Sequence, residues 1–155
     1  MKNSIESVGI IEMIINYEDR QEISVFKNTV LLNGRYALAR SLANQFQGTF
    51  NFYIVEMLFG NGGTQGGSPR YVYSNRDGFF GVTVLSKPVI STIDVSLPQQ
   101  TIFTTVIKSD EAVGQTLNEM ALKMANGLLF SMSTFPDLNK TSQMTITYNW
   151  KINFL

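Results

Sequence analysis

Carboxylates are the residues of this chain that could carry out acid–base chemistry, because the sequence contains no histidine and no cysteine. Without imidazole or thiol it has neither the usual general base at neutral pH nor a thiolate metal site. A glycosidase needs only two carboxyl groups, set about 5 Å or about 6.5–9.5 Å apart across a groove. The sequence alone does not place any two carboxylates at these distances. We therefore predict that the chain is not an enzyme and keep a glycan-cleaving activity as an alternative. The candidate carboxylates are Glu12, Glu56, Asp77, Asp94, Asp110, Glu111, Glu119 and Asp137.

A glycine-rich stretch, residues 60–69, follows an apolar run and resembles a phosphate-binding loop in position. It contains no Gly-Lys-Ser/Thr, it is followed by no helical pattern, and it ends at Pro69, so neither nucleotide fingerprint is satisfied. Calcium-binding Asp spacing is also missing. The sequence therefore predicts no cofactor and no metal, and it predicts a long mobile loop that orders against a neighbouring subunit.

Two arginines close to this stretch complete a candidate interface. Arg70 and Arg76 lie near Tyr71, Tyr73 and Asn75, a combination that suits a sugar or a partner's carboxylate as well as a plain edge strand. The candidate interface residues are Gly60, Asn61, Gly62, Gly63, Gln65, Gly66, Arg70 and Arg76.

The composition restricts the class of partner. Among 155 residues, 12 Lys and Arg balance 12 Asp and Glu, so no net field draws the chain to nucleic acid or to an anionic membrane. Charged residues are only 15% while apolar residues reach 44%, which fits either a well-filled β core or a surface partly covered by other subunits. No run approaches the roughly 20 apolar residues of a membrane helix, and Glu6 and Glu12 argue against a signal peptide.

The elements that must position these residues are mostly strands. From Met144 to Phe154, large apolar residues alternate with polar ones, the period of a half-buried strand. We expect eight to ten strands by rough count. The other strand predictions are Val8–Tyr17, Glu22–Leu32, Phe52–Phe59, Arg70–Tyr73, Phe79–Ser86, Val89–Val95 and Thr101–Lys108.

A hairpin is predicted around Asn126-Gly127. A two-residue loop would set Leu122 opposite Ser131 and mix apolar with polar residues on each face. A three-residue loop, residues 125–127 with Gly127 left-handed, sets Leu122 opposite Phe130 instead, and this register is preferred. It also pairs Met124 with Leu128 and Met120 with Met132.

One amphipathic helix is predicted after Asn33, which would be its N-cap, with Gly48 as its C-terminal stop. A second short helix near Asp110–Gln115 is ranked below a loop. The apolar side of the first helix is assigned to Leu38, Ala39, Leu42, Ala43 and Phe46.

No linker or repeat divides the sequence, so residues 1–155 are interpreted as a single domain with an N-terminal arm at residues 1–7. The predicted fold class is mainly β, an antiparallel β-sandwich in a jelly-roll or Ig-like arrangement with one short amphipathic helix.

The C-terminal half carries a recurring succession of motifs. A strand opens with Asn118-Glu119 and is followed by the turn at Gly127. The return strand then leads through Thr134-Phe135-Pro136 to the corner Lys140-Thr141-Ser142, and Trp150 lies on the last strand. This succession resembles a module of structural proteins from tailed bacteriophages. Asn28-Thr29-Val30, Gly34-Arg35, the alanine-rich helix and the glycine-rich stretch follow the same order.

The resemblance implies a structural component of the tail, baseplate, fibre-attachment or neck region that works as a symmetric oligomer. Its partners would be other copies of itself and other virion proteins, with no nucleic acid, membrane or small-molecule substrate, and its location would be the virion after synthesis in the host cytoplasm. A capsid decoration protein is one alternative. A carbohydrate-binding or glycan-cleaving sandwich is another, and that class predicts a groove with exposed aromatic residues and paired carboxylates.

Overall fold

The computed structural model, which describes residues 7–45 and 51–155, is mainly β with two antiparallel sheets and one helix. This is the sandwich architecture that the strand patterns predict. The elements are β1 Ser7–Asn16, β2 Gln21–Lys27, β3 Thr29–Val30, α1 Leu32–Leu42, β4 Ile54–Gly60, β5 Thr64–Gln65, β6 Ser68–Pro69, β7 Thr83–Pro88, β8 Ile90–Thr92, β9 Gln100–Ile107, β10 Thr116–Met124, β11 Leu129–Asn139 and β12 Thr145–Phe154.

Sheet A has the strand order β2-β1-β12-β9-β8, and sheet B has the order β3-β11-β10-β4-β7. Their inner faces meet in one apolar core, where the Phe59 ring from sheet B lies 4.8 Å, centroid to centroid, from the Tyr148 ring of sheet A. Along β12 the buried residues alternate with half-buried ones, so the predicted C-terminal strand is confirmed with Tyr148 and Trp150 in the core. Core aromatic residues contribute strongly because each buries a large apolar area.

The preferred hairpin register is confirmed only next to the turn. Gly127 is left-handed, and the Met124 amide donates to the Leu128 carbonyl, as in a three-residue loop. A bulge follows, so Leu122 lies opposite Ser131 and not opposite Phe130. The prediction assumed one polar face, but β10 and β11 are buried on both faces, and a strand buried on both sides does not select its register by alternation.

Helix α1 begins earlier than predicted, and of the described residues assigned to its apolar side Leu38 packs against the core while Ala39, Leu42 and Ala43 are exposed. Its N-cap is Leu31, not Asn33, and it needs no side-chain cap because the amides of Leu31 and Leu32 donate to the Phe130 and Ser74 carbonyls. The buried helix residues are Gly34 and Ala37, whereas Leu42 is 90% exposed. Phe46 and Gly48 lie outside the described residues, as do residues 1–6 of the proposed arm.

Two further element predictions are corrected and one is confirmed. The run predicted from Glu22 to Leu32 forms β2 and the short β3, and the helix begins at Leu32. Residues 70–73 form no strand, while residues 110–115 form a loop, as preferred. Segment 70–82 lies over the outer face of sheet B, where Val72, Phe79 and Phe80 pack with residues of β10 and β11.

Among the described residues, no helix combines the length and the apolar character needed to cross a membrane.

Candidate functional site

The glycine-rich stretch is a folded hairpin and not the long mobile loop that the sequence predicts. Strands β5 and β6 pair through Thr64 with Pro69 and Gln65 with Ser68. The turn residues Gly66 and Gly67 have φ of 60° and 81°, values at which two adjacent residues match the twist of a two-residue hairpin and at which glycine carries no Cβ penalty. Both turn glycines are exposed, so the tip is presented to solvent on a fixed stem.

Asn118 fixes the base of this hairpin. It lies in an irregular part of the β10–β11 pairing and is 3% exposed. Its Oδ1 accepts from the Gly63 amide at 2.7 Å, and its Nδ2 donates to the Asn61 carbonyl, Thr64 Oγ1 and Asp137 Oδ1 at 3.0–3.2 Å. Hydrogen bonds from Asn118 and Thr64 lower the pKa of Asp137. The hairpin is therefore tied to sheet B by a connected set of hydrogen bonds.

Glu119 performs the same task for the neighbouring loop. Its side chain is fully buried, with Oε1 accepting from the amides of Gly62 and Gly81 and Oε2 accepting from Phe80, each at 2.9 Å. Three converging amides supply the hydrogen bonds that a buried carboxylate requires. The side chain thus joins two loops to one strand, and its burial keeps it away from solvent.

The two candidate arginines flank one aromatic ring. The guanidinium carbons of Arg76 and Arg70 lie 3.6 Å and 5.2 Å from the centroid of the Phe80 ring. Arg76 also donates to the carbonyls of Gly78 and Phe79, and Arg70 donates to the Thr64 carbonyl. Neither guanidinium forms an ion pair with any carboxylate of residues 7–45 and 51–155.

A shallow cleft of about 370 Å³ lies beside these arginines. Tyr71 and Tyr73 are exposed by 73% and 65%, and their rings meet edge to face with centroids 4.6 Å apart. The cleft is lined by Gln65, Ser68, Pro69, Arg70, Tyr71, Tyr73 and Phe80. It has the exposed aromatic residues of a sugar site, but none of its lining residues is a carboxylate.

The structure divides the predicted interface residues into two groups. Gly60 and Gly63 are buried and Gly62 is half-buried, so they support the loop; a Cβ on Gly63 would collide with the Asn118 carbonyl. The exposed contributors are Asn61, Gln65 and Gly66, with Arg70 and Arg76 half-buried beside them.

Most of the remaining candidate carboxylates have structural partners. Glu111 accepts from Lys87 Nζ at 2.7 Å and from the Lys108 amide, and these bonds lower its pKa. Glu56 accepts from Ser86 and Lys123, and Asp94 accepts from Ser96 within a turn. Within the described ranges no three His, Cys, Asp or Glu side chains are placed to hold a metal ion.

Sequence reasoning missed a second surface, the outer face of sheet A. No element of the described chain lies over this face, whereas segment 70–82 covers the equivalent face of sheet B. Ile23 and Val25 on β2 are 58% and 62% exposed. Ile23 and Val25 alternate with Ser24 and Phe26, which indicates a strand with two different faces. This pattern does not say which of the two faces is inside. Other exposed apolar residues of this face are Ile10, Ile90 and Val106.

Polar side chains cross the middle of the outer face. Thr104 donates to Asn149 Oδ1 at 2.8 Å, and Asn149 Nδ2 donates to Glu12 at 3.3 Å. This ladder joins β9, β12 and β1 side by side. Thr104 and Asn149 are uncharged and bonded to each other, so covering them costs less than covering ions, whereas the Glu12 carboxylate would need further donors from a partner.

Several of the motif residues that carry the resemblance hold the chain's own fold together. Lys140 is 1% exposed and donates from Nζ to the Thr141 and Ser109 carbonyls, and burial lowers its pKa. Phe135 stacks on Phe26 between the sheets, and Trp150 is fully buried. No family model, no curated protein and no solved structure matches this chain.

Proposed function

We propose that this chain is a structural subunit of a tailed-phage particle, assembling as a symmetric oligomer in the tail, baseplate, fibre-attachment or neck region. The observation that carries the proposal is the difference between the two sheets. The outer face of sheet B is covered by the chain itself, whereas the outer face of sheet A is left open with apolar side chains upon it. Exposed apolar patches on soluble proteins mark contact sites for other molecules.

The chemistry of this face suits subunit packing. Val25, Ile10 and Val106 supply apolar contact area, and Thr104 and Asn149 supply uncharged polar groups that are already bonded to each other. Interfaces carry few charges at their centres, and this face presents five exposed Ile and Val side chains beside the charged Glu12 and Lys151 of β1 and β12.

The hairpin end offers a second contact region. Gly66 and Gly67 project on a stem fixed by Asn118, and Arg70, Tyr71 and Tyr73 are grouped beside it. Tyrosine and arginine are the residue types that contribute most to binding energy at interfaces. A rigid projection also loses little conformational entropy on docking.

Substitution in the open face tests the proposal. Val106→Asp places a charge in the face, and Val106→Thr is the matched control with a β-branched neutral side chain. We expect light scattering to show an oligomer for the unmodified chain, and Val106→Asp to weaken assembly by at least about tenfold, equivalent to about 1.4 kcal/mol. Val106→Thr should have a much smaller effect. An unmodified chain that stays monomeric at every concentration would refute the proposal.

A carbohydrate-binding function is the second candidate, because Tyr71, Tyr73 and Arg70 line an exposed cleft. Titration with oligosaccharides, followed by Tyr fluorescence, separates the two functions. Saturable binding by a monomer that disappears in Tyr71→Ala would favour the second candidate over the first.

A further inference from the structure

Strand β2 is the edge strand of sheet A best suited to pair with another strand. Of the four edges of the two large sheets, β3 and β8 are short and β7 ends at Pro88, which cannot donate to a sheet ladder. Strand β2 runs from Gln21 to Lys27 without proline. An edge strand of this kind presents unpaired amides and carbonyls that a further strand can bind.

The pairing of β1 with β2 shows which backbone groups are unpaired. The Tyr17 amide donates to the Arg20 carbonyl and the Asn28 amide donates to the Gly9 carbonyl, so the hydrogen-bonded pairs fall on alternate residues between these two ends. Ile23 and Val25 lie at the other positions, where amide and carbonyl point away from β1. Lys27 also lies at a position whose backbone groups point away from β1. In agreement with this, its carbonyl accepts a hydrogen bond from Ser133 Oγ of sheet B at 2.6 Å.

That contact also limits the open part of the edge. The C-terminal end of β2 is closed against β11 through the Lys27–Ser133 bond and the stacking of Phe26 on Phe135. The stretch from Gln21 to Val25 stays open, and Ile23 is its centre.

We infer that two copies of this chain pair antiparallel through β2, with Ile23 opposite Ile23 and Gln21 opposite Val25, so that two copies of sheet A form one continuous sheet. This inference rests on the proposed function, since it names one contact of the assembly. The pairing is self-complementary. Apolar Ile23 side chains meet on the outer face, and the same register brings the exposed Lys27 of each copy toward the exposed Asp19 of the other.

Cysteine crosslinking tests the register directly, because the chain has no native cysteine. In a hydrogen-bonded antiparallel pair the Cα atoms are about 5.5 Å apart, within the range that a disulfide spans. Ile23→Cys should give a covalent dimer under mild oxidation. Val113→Cys, an exposed apolar position in the loop between β9 and β10 and outside both proposed contact regions, is the matched control and should stay uncrosslinked.

Proline tests the backbone contact. Val25→Pro removes an amide that points away from β1, so the fold should be retained, as checked by circular dichroism, while crosslinking of Ile23→Cys is lost. Val25→Thr keeps the amide and should crosslink normally. Equal crosslinking at positions 23 and 113, or crosslinking that survives Val25→Pro, overturns the inference. If the unmodified chain still assembles in that case, the proposed function stands without it; if the chain is monomeric, both fail.

Discussion

Replacing Glu119 with glutamine isolates the contribution of the buried carboxylate to the stability of two loops. The Gln side chain keeps one oxygen for the amides of Gly62 and Gly81, but its amide nitrogen faces the Phe80 N–H and leaves that donor unpaired. A hydrogen bond to a charged group contributes about 1.5–3 kcal/mol, and an unpaired buried donor costs about 1–3 kcal/mol. We expect the free energy of unfolding to fall by about 3 kcal/mol.

Urea denaturation measures this change. With a slope of about 2 kcal/mol per molar urea, the midpoint should drop by about 1.5 M. Glu12→Gln is the matched control, because Glu12 is half-buried and, among the described residues, accepts only from Asn149 at 3.3 Å; it should change stability by less than about 0.5 kcal/mol. Hydrogen exchange should show faster exchange at the Phe80 amide in Glu119→Gln. Equal midpoints for the two variants would refute the assigned role of Glu119.

Two further predictions concern the hairpin base and the core. Gly63→Ala should lower stability by about 2 kcal/mol in urea melts, since its Cβ would collide with the Asn118 carbonyl, while Gly78→Ala, which meets open space, should stay within about 0.5 kcal/mol. Tyr148→Phe should be neutral or stabilising by up to about 1 kcal/mol, because the buried hydroxyl has no partner among the described residues. Burial also raises the pKa of Tyr148, so this tyrosine ionises first in the unfolded chain and stability falls as pH rises above about 10. The urea midpoint should therefore differ less between about pH 8 and about pH 10.5 in Tyr148→Phe than in the unmodified chain.

The strands could be predicted from the sequence where one face is inside and the other outside. Strand β12 shows this, since Tyr148 and Trp150 alternate with half-buried polar residues. The β10–β11 register could not, because both faces of those strands are buried and Ser131 and Ser133 lie among apolar residues. Alternation carries no register information when both faces are covered.

The start of α1 also could not be predicted from the sequence. Asn33 has the right chemistry for an N-cap, but the carbonyls of Phe130 and Ser74 satisfy the first amides at Leu31 and Leu32. Those partners lie far away in the chain, so only the tertiary structure reveals them.

The residues of the candidate site can be chosen from the sequence, but the hydrogen bonds that position them cannot. The glycine content marked residues 60–69, and the motif pair Asn118-Glu119 was noted separately. Their connection depends on hydrogen bonds between residues more than fifty positions apart, such as that from the Gly63 amide to Asn118. The open outer face of sheet A could not be predicted, because the alternation along a β-strand shows that it has two faces. It does not show which element, if any, covers each face.

An electron cryomicroscopy map of the purified assembly tests the central claim most directly. The account predicts a closed ring or another symmetric oligomer in which a neighbouring chain covers the outer face of sheet A at Ile10, Val25 and Val106. Single copies, or an oligomer in which that face borders only solvent, would contradict it.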